Sequence, residues 1–406
     1  MSLHPDNVLI DIRSGLTTTW GALPEVEIPA PAAVVVPDSF AAFPYVAEHA
    51  RTGAEFLVLA AGRMEDNLRA DLRDSGFNIV SGRDVQPASA TREAEDGRLW
   101  LLTSGSTGRP KQIGHTLDSL TTVKGEVPKR RWLCPYSPGT YAWWQVVTLG
   151  LAHEGQDLVV VDPSELETWP AAAAQHGVTA ASGTPTFWRQ TIMRSRDDLA
   201  RVPLEQISLG GEPVDQAVLD QLRQLFPEAR ISWIYASSEV GASIVVHDGR
   251  AGFPEEWLGR KVEGRPVIDI DGNELVITSP HHGSGLDGAV RTGDAVIVEA
   301  GRVLITGRIN SDEINVGGAK VSAGVVRNVL QSHADVAWAH VRGRKAPLVG
   351  NMVVADVVLN SGETKDPETL QSINEWCAAR LPDYGVPRRI KLLAEIPAKE
   401  TLKSDV

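Results

Sequence analysis

Short β-branched runs alternate with amphipathic stretches along most of this chain, and that alternation constrains its fold more than any other feature. "EFLVLAA", "DLVVVD" and "ARISWIYA" predict buried strands. "MEDNLRADLRDSG" and "PVDQAVLDQLRQLF" predict helices, the first closed by Gly76, the second with Val214, Val218, Leu222 and Leu225 at roughly helical spacing. Strands that alternate with helices in this way build largely parallel sheets covered by helices, an α/β fold. From about Asp269 the pattern changes to short strands with tight turns, and Asp271-Gly272 marks a hairpin. After Arg308 the order reads β-α-β-β-α-β, which predicts a second, compact domain near Asn310. The expected organisation is a large domain over residues 1–309 and a small one over 310–406.

Composition narrows the function. The 406 residues carry 39 Lys plus Arg against 52 Asp plus Glu, a formal net charge of −13. Such a chain repels nucleic acid and anionic membranes, so neither is an expected partner. Cys134 and Cys377 stand far apart without Cys or His companions, which argues against a zinc site or a disulfide framework. The first residues carry acidic side chains where a signal peptide is basic and then apolar, and no run of about 18 apolar residues occurs. A soluble, cytoplasmic protein is the expectation.

One loop carries chemistry. "TSGSTGRPK", from Thr103 to Lys111, follows the apolar run "RLWLLT" and ends in a single lysine. Glycines at such a place let backbone N–H groups face an oxyanion, hydroxyls add donors, and the lysine offers charge to a terminal phosphate. The plain alternative is a surface turn, since turns are made of the same residues. The Walker spacing is absent: Arg109-Pro110 separates Gly108 from Lys111, and Gln112 stands where a magnesium-binding hydroxyl is required.

The loop resembles the phosphate loop of the adenylate-forming superfamily, which includes acyl- and aryl-CoA synthetases, luciferases and nonribosomal peptide adenylation domains. Further segments match in the same order: "LGGEP", "YASSE", "RTGD", "GRIN", "INVGGAKVS" and "IPAKETLK". The likeness spans about Trp100 to Lys403. It implies a large N-terminal domain of layered α/β subdomains, shortened at its start, and a small mobile α+β C-terminal domain.

It also implies roles. ATP would be held by Thr103, Ser104, Gly105, Ser106, Thr107, Gly108 and Lys111, by Gly211, Glu212 and Pro213, by Tyr235, Ala236, Ser237 and Ser238, and by Asp294 and Arg308. Lys111 would neutralise the leaving pyrophosphate and Glu239 would hold Mg²⁺. Asp294 would accept the ribose diol, and Lys403 would sit between the acyl carboxylate and the α-phosphate. Asn310 marks the hinge, and Gly317, Gly318 and Lys320 a path for CoA. The implied reaction is attack of a carboxylate on the α-phosphorus of ATP, giving an acyl-AMP.

The chain departs from the family pattern at several places. Ser238 replaces a threonine, Asn310 an aspartate or lysine, Leu402 a glycine, and "SAGVV" stands where a proline and an acidic helix start are usual. Leu133 to His153 contains no Asp or Glu, so an α-ammonium there would lack a counter-charge. Tyr141, Trp143, Trp144 and Trp188, with Gly210, suggest a pocket for an aryl or other non-amino acid, with core packing as the competing explanation for at least two of the aromatics. The leading expectation is an acid–thiol ligase that passes its acyl group to CoA. The alternatives are transfer to a carrier-protein phosphopantetheine or to a nitrogen nucleophile, and a degenerate member that binds nucleotide without adenylating.

Overall fold

The structure is a computed structural model that describes residues 3–103, 110–162, 168–280, 282–283, 288–309, 313–346, 350–398 and 402–404. Two mainly parallel sheets form the body. One has six strands in the spatial order Asp84–Gln86, Asn78–Ser81, Ala32–Val36, Phe56–Ala60, Leu99–Thr103 and Lys111–His115. The other has eight: Gly241–Val246, Arg230–Ser237, Gln206–Gly210, Ala180–Gly183, Arg130–Cys134, Gln156–Val160, Val8–Asp11 and Thr17–Thr19. Its six inner strands run parallel, with antiparallel strands at both edges.

The two sheets share one hydrophobic core. The helices Phe43–Thr52 and Tyr141–Ala152 meet through stacking of Phe43 on Trp143, and Trp144 lies edge-on to Phe56 of the first sheet. Each such aromatic side chain contributes roughly 1.5–3 kcal/mol by leaving water. Where the chain passes between the sheets at Gly139, a Cβ would fall 1.8 Å from the Val58 carbonyl oxygen, so only glycine fits.

A third, antiparallel sheet holds Val267–Asp271, Glu274–Thr278, Val290–Glu299, Arg302–Arg308 and Phe253–Pro254. The expected hairpin forms there: Asp271 pairs with Glu274 and Gly272 turns at φ +64°. The strand Glu313–Val316 then enters a fourth sheet with its own core, built with Ala319–Ser322, Val336–Ala346, Gly350–Leu359 and Arg389–Leu393. Helices Ala323–Gln331 and Pro367–Ala378 pack on it. A two-strand hairpin thus opens the small domain where the sequence suggests a single strand.

Arg189, 3% exposed, ties the two bodies together. It pairs with Asp215 at 2.5 Å and donates to the Ala337 carbonyl at 2.6 Å. Beside it, Met193 packs on Ala337, Trp338, Val358 and Ile396. Among the described residues no helix is long and apolar enough to cross a membrane.

Candidate active site

Three adjacent parallel strands, Ala180–Gly183, Gln206–Gly210 and Arg230–Ser237, end at the same edge of the eight-stranded sheet. Carboxyl ends of parallel strands leave the chain free to turn away, which opens a crevice for ligand. The segments that follow them here are Thr184 to Trp188, Gly211 to Pro213, and Ser238 to Glu239. They make one wall.

The antiparallel sheet makes another. Asp294 pairs in register with Arg308, whose Nε stands 3.3 Å from its Oδ1, and the Tyr235 hydroxyl donates to Asp294 Oδ2 at 2.5 Å. Burial raises the Asp294 pKa, while the Tyr235 hydrogen bond and the Arg308 and Lys403 charges oppose that rise. Burial also raises the Tyr235 hydroxyl, and the Asp294 charge adds to the effect.

Lys403 enters from the small domain. A Cβ on Gly211 would sit 3.2 Å from its Cε and 3.7 Å from its Nζ, so the lysine lies over the glycine loop. Gly211 turns at φ +82°. Lys403 keeps solvent-exposed surface, yet the surrounding walls remove enough water to hold its ammonium below the usual lysine range. Glu212 and Asp294 raise it against that cost, and Arg308 lowers it further.

The Glu239 turn is fastened to the strand Lys111–His115. His115 Nε2 donates to the Ser238 carbonyl at 2.9 Å, while Gly283 donates its N–H to the Glu239 carbonyl and packs on Ile113. Lys111 begins the same strand, exposed and opposite Thr103. It lies four residues, about 13 Å of strand, from His115. Ser237 Oγ accepts the Glu239 and Val240 N–H groups, which shapes the turn. Burial lowers the His115 pKa, and the hydrogen bond to the Ser238 carbonyl opposes that shift.

The structure therefore brings Tyr235, Asp294, Arg308, Lys403 and Gly211 together, with Glu239 close enough to act on Asp294 by its charge. Ser104, Gly105, Ser106, Thr107, Gly108 and the hinge residue Asn310 lie outside the described residues. Gly317 and Gly318 form the open tip of the first small-domain hairpin at φ +60° and +90°, and Lys320 pairs with Glu313 at 3.0 Å.

The aromatic pocket expectation needs correction. Trp143, Trp144 and Trp188 are 0–1% exposed and locked in ring contacts with Phe43, Phe56, Trp169 and Phe187. They are core, because a ring enclosed on all sides offers no face to a ligand. Tyr141 is half-buried, 6.1 Å from the His115 ring. Glu212 differs too: Thr186 donates to both of its oxygens and the Ser404 N–H donates to Oε1, so protein groups occupy the carboxylate. His115 and Gly283 escaped the sequence reading, as did the separate roles of Thr184 and Thr186 within "GTPTFW", a segment whose place in the chain suggests a pocket wall. The one local signal was the Thr184-Pro185 helix start.

A family model described as AMP-binding enzyme matches residues 32–300, and one described as AMP-binding enzyme C-terminal domain matches residues 326–403. The chain belongs to the AMP-binding enzymes. The 4-chlorobenzoate–CoA ligase of an Arthrobacter species is 24% identical over 397 residues, covering 86% of this chain and 70% of the ligase. Surfactin synthase subunit 1 of Bacillus subtilis (strain 168) is 25% identical over 405 residues, covering 87% of this chain but only 11% of that subunit. Among solved structures, the anthranilate CoA ligase AuaEII in complex with anthranoyl-AMP superposes with a TM-score of 0.76 at 16% identity, covering 99% of this chain and 93% of that one. Amide bond synthetase McbA from Marinactinospora thermotolerans gives 0.70 at 20% identity, covering 98% and 95%. This AMP-binding enzyme shares their fold, with a large N-terminal and a small C-terminal domain.

Proposed function

We propose that this adenylate-forming enzyme activates an aryl or other non-amino carboxylic acid as its acyl-AMP, releasing pyrophosphate, and passes the acyl group to the thiol of CoA. The observation that supports it most is the meeting of Lys403 with Gly211, Asp294 and Arg308 at the carboxyl edge of the sheet. Two anions, a carboxylate and a triphosphate, react only if cations neutralise them where they approach. Lys403 is the cation at that centre. Asp294, held by Tyr235 and Arg308, orients the ribose diol as a carboxylate orients two hydroxyls. Lys111 stands at the foot of the phosphate loop for the pyrophosphate.

Glu239 is the residue for Mg²⁺, an ion that would neutralise phosphate oxygens when bound. Among the described residues no group of three acidic, His or Cys side chains converges on a metal site. The ion would then take its other ligands from phosphates and water, as Mg²⁺ commonly does. CoA would pass the open Gly317-Gly318 tip, where no neighbouring atom lies within 4 Å of an added Cβ.

A second acceptor, a nitrogen nucleophile, draws on the likeness to an amide bond synthetase and on the "SAGVV" departure. Purified protein with Mg²⁺, ATP and a panel of aryl and fatty acids should release pyrophosphate and consume free CoA. No pyrophosphate with any acid would overturn the adenylation reading. Pyrophosphate without CoA consumption, together with amide formation, would select the second acceptor.

A further inference from the structure

The last described residues are bound to the large domain at three points. Leu402 is 1% exposed and belongs to the large domain's core, although it lies in a different sheet's domain from its neighbours there. Its carbonyl accepts the Thr184 hydroxyl, and its backbone is left-handed at φ +61°. Leucine disfavours that conformation, so the surrounding contacts must hold it there. One residue further on, the Ser404 N–H donates to Glu212 Oε1 at 2.8 Å. Glu212 is itself fixed by the Thr186 N–H at 3.0 Å and the Thr186 hydroxyl at 3.1 Å. Lys403 is the residue between these two anchors.

We infer that Glu212 is a positioning residue for Lys403, acting through the Ser404 amide, and that Leu402 is the apolar anchor on its other side. The inference rests on Lys403 being the cation at the reacting centre. A lysine has four rotatable side-chain bonds, so fixing its backbone on both sides limits where the ammonium can reach. Both Glu212 oxygens are engaged by Thr186 and Ser404, which directs the carboxylate to the chain terminus and not to a nucleotide. A glycine at position 402 would adopt φ +61° without strain but would bring no side chain to bury. Leucine replaces ease of backbone conformation with a buried contact, so the terminal segment is held where a glycine would leave it loose.

The test compares Glu212→Ala, Glu212→Gln and Leu402→Gly with the full wild-type chain by hydrogen–deuterium exchange of the C-terminal peptide containing Leu402 to Ser404. Wild-type protein should protect that peptide. Glu212→Ala and Leu402→Gly should speed its exchange about tenfold or more, the effect of one lost buried hydrogen bond or anchor. Glu212→Gln keeps an acceptor for Ser404 and should retain part of the protection. In ATP–pyrophosphate exchange, Glu212→Ala should lower kcat on the order of 100-fold, as misplaced catalytic groups do, with the KM for ATP within about twofold. Unchanged exchange of the peptide in Glu212→Ala would overturn the proposal, and so would a raised KM for ATP with kcat intact. Unchanged exchange in Leu402→Gly would remove Leu402 from it. If wild-type protein releases no pyrophosphate with any acid, the functional reading fails, while the deuterium result still decides whether Glu212 and Leu402 hold the segment.

Discussion

Three side chains of the candidate site are shifted from their ordinary pKa ranges, Lys403 downward and Asp294 and Tyr235 upward. On the proposed function Lys403 acts as an ammonium, and burial makes that ammonium easier to lose, so activity should fall at a pH below the ordinary lysine range. On the same proposal Asp294 acts as a carboxylate, and burial makes it easier to protonate, so the acid limb should stand above the ordinary aspartate range. The Tyr235 hydroxyl stabilises the Asp294 charge. Tyr235→Phe should therefore move the acid limb of pyrophosphate release to higher pH and leave the alkaline limb in place. A pH profile of kcat/KM for ATP measures both limbs; an unmoved acid limb would show that Asp294 does not set it. Lys403→Ala should abolish adenylation while sparing nucleotide binding, read by comparing pyrophosphate release with equilibrium ATP affinity.

At the scale of strands and turns, the glycine at 139 carries a sharp expectation. Its φ is +79° and a Cβ would overlap a backbone carbonyl that cannot swing aside. Gly139→Ala should cost about 2–5 kcal/mol, combining left-handed strain with overpacking, and denaturant unfolding measures it. His115 gives a stability change with a definite direction. Its folded pKa is lowered, so the stability it contributes is present above the unfolded histidine pKa and is lost as pH falls through the folded value. The strands around these residues were legible in sequence because their signals are local: "ARISWIYA" is dominated by apolar, β-branched and aromatic residues and forms most of Arg230–Ser237. Asp271-Gly272 was legible for the same reason. Trp143, Trp144 and Trp188 misled because a cluster of aromatics has the same composition whether it lines a pocket or fills a core. Glu212 and Ser404 are 192 residues apart, and no local pattern announces a hydrogen bond between such positions.

On the scale of the whole molecule, one buried arginine takes part in the junction between the two bodies. Arg189 and Asp215 both belong to the large domain, their side chains 2% and 10% exposed, and the same guanidinium reaches the Ala337 carbonyl of the small one. Gln190 adds a hydrogen bond to the Ile396 carbonyl, and Arg194 an ion pair with Glu395. Removing only the arginine leaves a buried carboxylate without its partner, which costs about 3–5 kcal/mol. Arg189→Met should therefore lower stability by that amount and release the small domain, seen as faster proteolysis between the bodies and loss of pyrophosphate release. Removing both charges gives a different result. Arg189→Met with Asp215→Leu leaves no stranded charge, so most of the loss should return. It will not return in full, because Asp215 also caps the helix Gln216–Leu225 through the Val218 N–H, a contact worth about 1 kcal/mol. Denaturant unfolding of the two variants separates these terms. If the double variant is no more stable than the single one, the docking rests on the apolar contacts of Met193 and Trp338 and not on the ion pair.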